Sequence, residues 1–176
     1  MNLHNSASEK GAFTLMELLV VVAIIGILMA LLFPAVNGVL NAAKKAQARN
    51  DVTQIATACV AFETEYGFGP WGTNNPTEVE GEFLAALMGS NNRQIVFLEV
   101  QDIKDKRRNG FDGEAFVDPW GGRYQFAYDP NYSSSITTAG ISRGESVRKN
   151  YAVWTDPSKQ KWNTNSKPDG RYVQSW

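Results

Sequence analysis

Cysteine and histidine are almost missing from this chain, and each shortage closes off a kind of chemistry. Cys59 is the only cysteine in 176 residues, so no disulfide can form within the chain. It sits among Ile55, Ala56, Ala58 and Phe62, where burial as a small hydrophobe is the expected role. His4 is the only histidine and stands in a short polar start, so the body of the chain has none for a triad or a general base. No glycine-rich phosphate loop and no Gly-x-Ser-x-Gly elbow occurs. Glu63 and Glu65 point to different sides of a helix and read as solvated rather than as an acid pair. These absences argue against an enzyme. Charge is scarce as well: a net −1 with 20% charged residues gives no basis for a nucleic-acid partner. The small basic cluster Lys44, Lys45 and Arg49 reads as a solvated helix face.

What the chain does have is a long apolar run, opening Phe13-Thr14-Leu15-Met16-Glu17-Leu18-Leu19-Val20-Val21-Val22. Residues 18–36 carry no charge, and nineteen residues in a helix approach the ~30 Å hydrocarbon thickness of a bilayer. A secretory signal would have an apolar core of only about 7 to 15 residues. This run is longer and continues into helix-compatible sequence, so it is expected to stay as a span. Glu17 is the exception inside it. A carboxylate at membrane depth costs about 2.5–3.5 kcal/mol on insertion scales, which makes Glu17 a functional candidate rather than a bystander.

Polar start, Phe-Thr-Leu-x-Glu and apolar span together resemble the type IV prepilin signal, shared by type IV pilins and the pseudopilins of type II secretion. The resemblance implies a prepilin peptidase that cuts at the cytoplasmic face and methylates the new terminal amine. Counted from Phe13, Glu17 is fifth, and Pro34 is twenty-second, where relatives commonly carry a helix-loosening proline. The family normally has glycine just before the cut, whereas here Gly11 is followed by Ala12. Cleavage between Ala12 and Phe13 keeps Glu17 and Pro34 in register; cleavage after Gly11 makes Glu17 sixth. The freed amine is a cation, and the buried Glu17 of a neighbouring subunit can neutralise it only when subunits align in one stagger. The cations past the span outnumber those of the leader, against the positive-inside rule, so orientation rests on the resemblance.

Beyond Pro34, an apolar stripe at helical spacing runs through Val36, Val39, Leu40, Ala43, Val52, Ile55, Cys59, Phe62 and Tyr66, and predicts that the helix continues to Tyr66 before Gly67. Residues 67–81 read as a surface loop and 82–88 as one short helix, while 95–100 is apolar but of uncertain class. Ala115-Phe116-Val117 and residues 123–128 alternate on either side of Asp118-Pro119-Trp120-Gly121-Gly122, predicting a hairpin whose proline sets φ and whose glycines allow positive φ. Residues 149–154 and 171–176 supply two more strands. The expected architecture is α+β, a long N-terminal helical stem packed on a small antiparallel β-sheet in a ladle. Its parts are a leader at 1–12, a transmembrane and filament-core helix at 13–36, the amphipathic half of the stem at 37–66 and an α+β head at 67–176.

Asp118, Pro119, Trp120 and Gly121, with Tyr124 and Phe126 after them, also resemble the Asp-Pro-Trp-Gly-x-x-Tyr-x-Tyr signature of the major pseudopilin, Phe126 standing at its last tyrosine. Many type IV pilins close a C-terminal loop with a disulfide, so the lone cysteine tilts the resemblance toward pseudopilins. In those relatives a loop between the last strands holds calcium. Asp169, in Pro168-Asp169-Gly170, takes one family position, Tyr172 or its neighbour occupies the other, and Asp156 is the substitute carboxylate. Calcium takes six to eight oxygens, so one lost carboxylate weakens such a site without forbidding it. The implied partners are further copies of the chain, minor pseudopilins, the prepilin peptidase and an inner-membrane assembly platform driven by a cytoplasmic ATPase. The implied place is the bacterial inner membrane, single-pass, with the head in the periplasm. Two other readings stand beside the secretion pseudopilus: a type IV pilin for adhesion, motility or DNA uptake, and an anchored periplasmic glycan-binding or hydrolytic domain. The last would use the tryptophans Trp71, Trp120, Trp154, Trp162 and Trp176 as a platform, though packing under loops is the commoner use of such rings.

Overall fold

The structure, a computed structural model, describes residues 13–70, 78–103, 109–129, 136, 147–155 and 173–175, with the side chains of all of these but 34 and 35. The chain divides into one unit reaching Asn41 and a second from Ala42. Helix α1, Leu15–Tyr66, contributes to both.

In the first unit α1 is apolar on all sides, which is the composition of a lipid-facing helix rather than of one covering a core. It is long and apolar enough to cross a membrane, and its most apolar window is not buried at all. The core helix of a soluble protein would be mostly covered. The helix is continuous through Pro34.

In the second unit the expected stripe becomes a packing seam. Ala48, Val52, Ile55, Cys59 and Phe62 recur at spacings of three and four and are all buried. The stripe is shorter than its sequence pattern: Val36, Val39 and Leu40 are 48–69% exposed, and Ala43 is exposed too. Against the seam lie Phe83, Leu84 and Leu87 of α2 (Gly81–Leu87), together with Leu98, Phe116, Trp120, Tyr124, Phe126, Tyr151 and Val153. Cys59, fully covered in this core, has the place its neighbours suggested.

Among the described residues the unit also holds two small antiparallel sheets. β1 (Gly110–Phe111) pairs with β2 (Phe116–Val117), and β3 (Tyr124–Tyr128) pairs with β4 (Tyr151–Thr155) from Tyr124↔Thr155 to Tyr128↔Tyr151. Every residue of β4 is buried because both faces of its sheet are covered. Tyr151 and Val153 face the stem core, whereas Ala152 and Trp154 join Ile136 and Val147 in a second cluster. Of the segment expected to be a final strand, Gln174 bridges Trp154.

The expected hairpin is cut short. Its turn closes through one bridge, Val117↔Arg123, and then the arms part into different sheets. The cause is Val79, which enters between them: its carbonyl accepts the Phe116 amide at 2.9 Å and its own amide donates to the Tyr124 carbonyl at 2.8 Å. Fully buried, Val79 occupies the ladder positions that the two arms would have used on each other. Residues 95–100 form no strand; Phe97 and Leu98 instead donate their amides to the Leu87 carbonyl at 2.9 and 3.0 Å, closing the end of α2.

Candidate processing and assembly site

The start of α1 is a reciprocal cap. The Thr14 amide and hydroxyl donate to Glu17 Oε2 at 2.9 and 3.0 Å, and the Glu17 amide donates to the Thr14 hydroxyl at 3.2 Å. Thr14-Leu15-Met16-Glu17 is thus a capping box, which satisfies amide groups that the first helical turn leaves without partners. Sequence reasoning read Glu17 only as a charge in need of a cation. The available signal was a threonine three residues before a glutamate at the edge of an apolar run. The cap turns the Glu17 carboxylate back toward Phe13, itself 83% exposed, at the helix end where the macrodipole favours negative charge. Gly11 and Ala12 lie outside the described residues. Pro34 lies on α1 within the same apolar segment as Glu17, while Phe13 stands two residues before the first residue of that helix, all three in the first unit.

The Asp-Pro-Trp-Gly turn belongs to the second unit and is interior. Asp118 is fully buried, and its Oδ1 accepts the amides of Trp120 and Gly122, both at 2.8 Å. Its own amide donates to the Gly122 carbonyl at 2.7 Å, while the Gly121 amide donates to the Asp118 carbonyl at 3.0 Å. Only one of the two glycines uses a positive φ, Gly121 at +86°. Trp120 is 9% exposed and joins the stem core, although its Nε1 has no hydrogen-bond partner among the described residues. Trp154 is buried as well, so neither of these rings offers a surface platform. Trp71, Trp162 and Trp176 lie outside the described residues, as do Asp156 and Asp169. Among the described residues no group of three or more His, Cys, Asp or Glu is placed to hold a metal ion.

A polar junction that sequence reasoning missed lies where stem and sheets meet. Asp51, 3% exposed, accepts Gln47 Nε2 and Asn109 Nδ2, each at 2.9 Å, and the Tyr124 hydroxyl at 2.7 Å. The signal was its position: three residues after Ala48 and four before Ile55, it falls on the seam. Burial, then the charge and hydrogen bond of Asp51, then the charge of Asp118 raise the Tyr124 phenol well above its ordinary value of 10.0. The sign follows from linkage. A raised folded pKa leaves the contribution intact below the unfolded value and loses it as pH climbs from about 10 toward the folded value. Tyr124→Phe is expected to flatten the dependence of unfolding free energy on pH above about 10, by up to 1.4 kcal/mol per pH unit. Denaturant titrations of both chains at several alkaline pH values measure it; equal slopes would refute the coupling.

Of the two stem carboxylates expected to be solvated, Glu65 is exposed and pairs at the surface with Arg93, which stands 5.4 Å over the Tyr66 ring, whereas Glu63 is half-buried and accepts the Tyr151 hydroxyl. They remain apart from each other in function, one sealing the sheet to the stem and the other bracing the stem's end.

Two comparisons fit this arrangement. Residues 8–33 match the family described as the prokaryotic N-terminal methylation motif. Over 118 residues the chain is 30% identical to type II secretion system core protein G of Pseudomonas aeruginosa, an alignment covering 67% of this chain and 73% of that protein. No solved structure matches. The chain belongs to the type IV pilin-like family, whose members are structural subunits, and within it resembles the pseudopilins. Membership implies a membrane-anchored protein that is processed by a peptidase and polymerises.

Proposed function

We propose that this chain is a structural subunit of a type II secretion pseudopilus, inserted in the inner membrane with its head in the periplasm. In this reading a prepilin peptidase removes residues 1–12 and methylates Phe13, 13–36 forms the membrane and filament-core helix, 37–66 the outer half of the stem and 67–176 the head. Polymerisation would be heterologous and open-ended, the geometry that builds a filament rather than a ring. Energy would come from a cytoplasmic ATPase acting through an assembly platform, with minor pseudopilins as further partners. The observation that carries the reading is the similarity to core protein G across most of both chains.

Glu17 has the central role in this scheme. In the single chain its carboxylate is held by the neutral donors of Thr14. A neighbour's methylated terminal amine offers a charge-assisted bond of roughly twice the strength of a neutral one, in surroundings from which water is excluded. Exchange of the one for the other would reward a single stagger between subunits.

The expected result for Glu17→Gln is normal membrane insertion and normal processing, together with loss of filament incorporation and of protein export. Intact mass of the membrane-extracted chain checks processing, which should remove residues 1–12 and add one methyl group. Wild-type export by the glutamine variant would remove Glu17 from assembly, and a full-length, unmethylated mass would remove the processing scheme.

A further inference from the structure

Lys44, Lys45 and Arg49 are three cations within six residues, and no carboxylate stands between Glu17 and Asp51. Lys44 and Arg49 are exposed and Lys45 is half-buried. Among the described residues none of the three has an ion-pair partner. Asp51, the nearest carboxylate in sequence, is buried with its oxygens occupied by Gln47, Asn109 and Tyr124. The stem here carries a local surplus of positive charge that nothing described in the chain offsets. At about 100° per residue the three side chains fall within an arc of roughly 140° on α1.

Their position along the helix points to an occupant. About 20 helical residues cross the hydrocarbon, so a span starting at Leu18 ends near residue 37. The headgroup layer adds about 5–7 Å, a further four or five residues. Exposed apolar side chains continue to Val39 and Leu40, and Lys44 follows Leu40 by one turn. Helical side chains lean toward the N-terminus, so long cationic ones at 44 and 45 reach back to the phosphate level. As topology signals these charges oppose insertion with the leader inside; as ligands for phosphate they are at the correct depth.

We propose that Lys44, Lys45 and Arg49 form a clamp for anionic phospholipid headgroups in the leaflet on the head side of the span. The clamp fixes how deep the membrane-held subunit sits and adds an electrostatic hold that must be released when the stem leaves the bilayer. It rests on the membrane-anchored reading of α1 and needs no part of the export scheme.

The test uses the full chain, reconstituted sparsely into vesicles of phosphatidylcholine alone or of phosphatidylcholine with phosphatidylglycerol, and no secretion components. Lysine acylation is followed residue by residue, with exposed Lys149 as internal reference. Phosphatidylglycerol is expected to slow acylation of Lys44 and Lys45 relative to Lys149 by about fivefold each, and high salt to restore it. An unchanged ratio between the two vesicle types, in a chain that floats with both, overturns the clamp and leaves the anchor standing. Failure to float with either overturns both. Protection in neutral vesicles that rises with protein density assigns the cations to a second copy and overturns the lipid assignment, as does equal protection by inorganic phosphate alone.

Discussion

Replacing Asp51 by alanine is expected to lower the unfolding free energy of the second unit by about 2–4 kcal/mol. The substitution removes the acceptor of three donors at once, and one of these, the Tyr124 hydroxyl, belongs to a fully buried residue. An unsatisfied buried donor costs about 1–3 kcal/mol, and its neighbours Gln47 and Asn109 are nearer to water. Recovering the desolvation of one carboxylate offsets part of the loss, so the net cost falls below the sum. Asp51→Asn keeps one acceptor oxygen and is expected to cost about half as much. Denaturant unfolding of the full chain in detergent, read by near-ultraviolet circular dichroism, measures both. A wild-type midpoint for the alanine variant would show that the Asp51 junction adds nothing to the join between stem and sheets.

Gly110→Ala is expected to be at least as damaging, for a reason that lies in the backbone. Gly110 has φ +146°, where side chains are strained, and a Cβ added there would strike the Gln101 carbonyl and lie 2.6 Å from Ile103 Cγ2. The Gln101 carbonyl cannot retreat, because it accepts the Phe111 amide at 2.8 Å while the Ile103 amide donates to Phe111 at 2.8 Å. Strain and overpacking together predict a loss of about 3 kcal/mol, or about 10 °C in melting temperature. Gly26 is the control: it lies within α1 with nothing inside 4 Å of an added Cβ, so alanine there should favour the helix by up to about 1 kcal/mol. Equal melting temperatures for Gly110→Ala and the wild type would show that the Gln101–Ile103 segment can move aside.

Both effects arise from contacts that reach beyond the neighbouring turn of chain, and this separates what was legible beforehand from what was not. The end of α1 at Tyr66 and the short helix after residue 80 were legible because helical periodicity and a closing glycine are local. Glu17 stands out in the sequence against its lipid-like neighbours, but its bond to Thr14 was not read from the sequence despite an equally local signal. The Asp-Pro-Trp-Gly turn was also local, and it forms with Asp118 bonded to the amides of Trp120 and Gly122.

The strands beyond that turn were misjudged because a hairpin prediction assumes that adjacent arms pair with each other. Val79 arrives from more than 30 residues away and takes both arms' hydrogen bonds, a competition that no window of sequence displays. Asp51 shows the same limit from the opposite side: its place on the apolar seam is a local signal of burial, but two of its three donors come from residues 109 and 124. Residue order and hydrophobic period were therefore enough to settle the apolar first half of the helix and the amphipathic second half, since each depends on neighbours within a turn or two. The strand partners, the interior place of Asp118 and the buried junction at Asp51 were decided only by folding, because a hydrogen bond in a dry interior goes to whichever donor or acceptor the packed chain brings within reach.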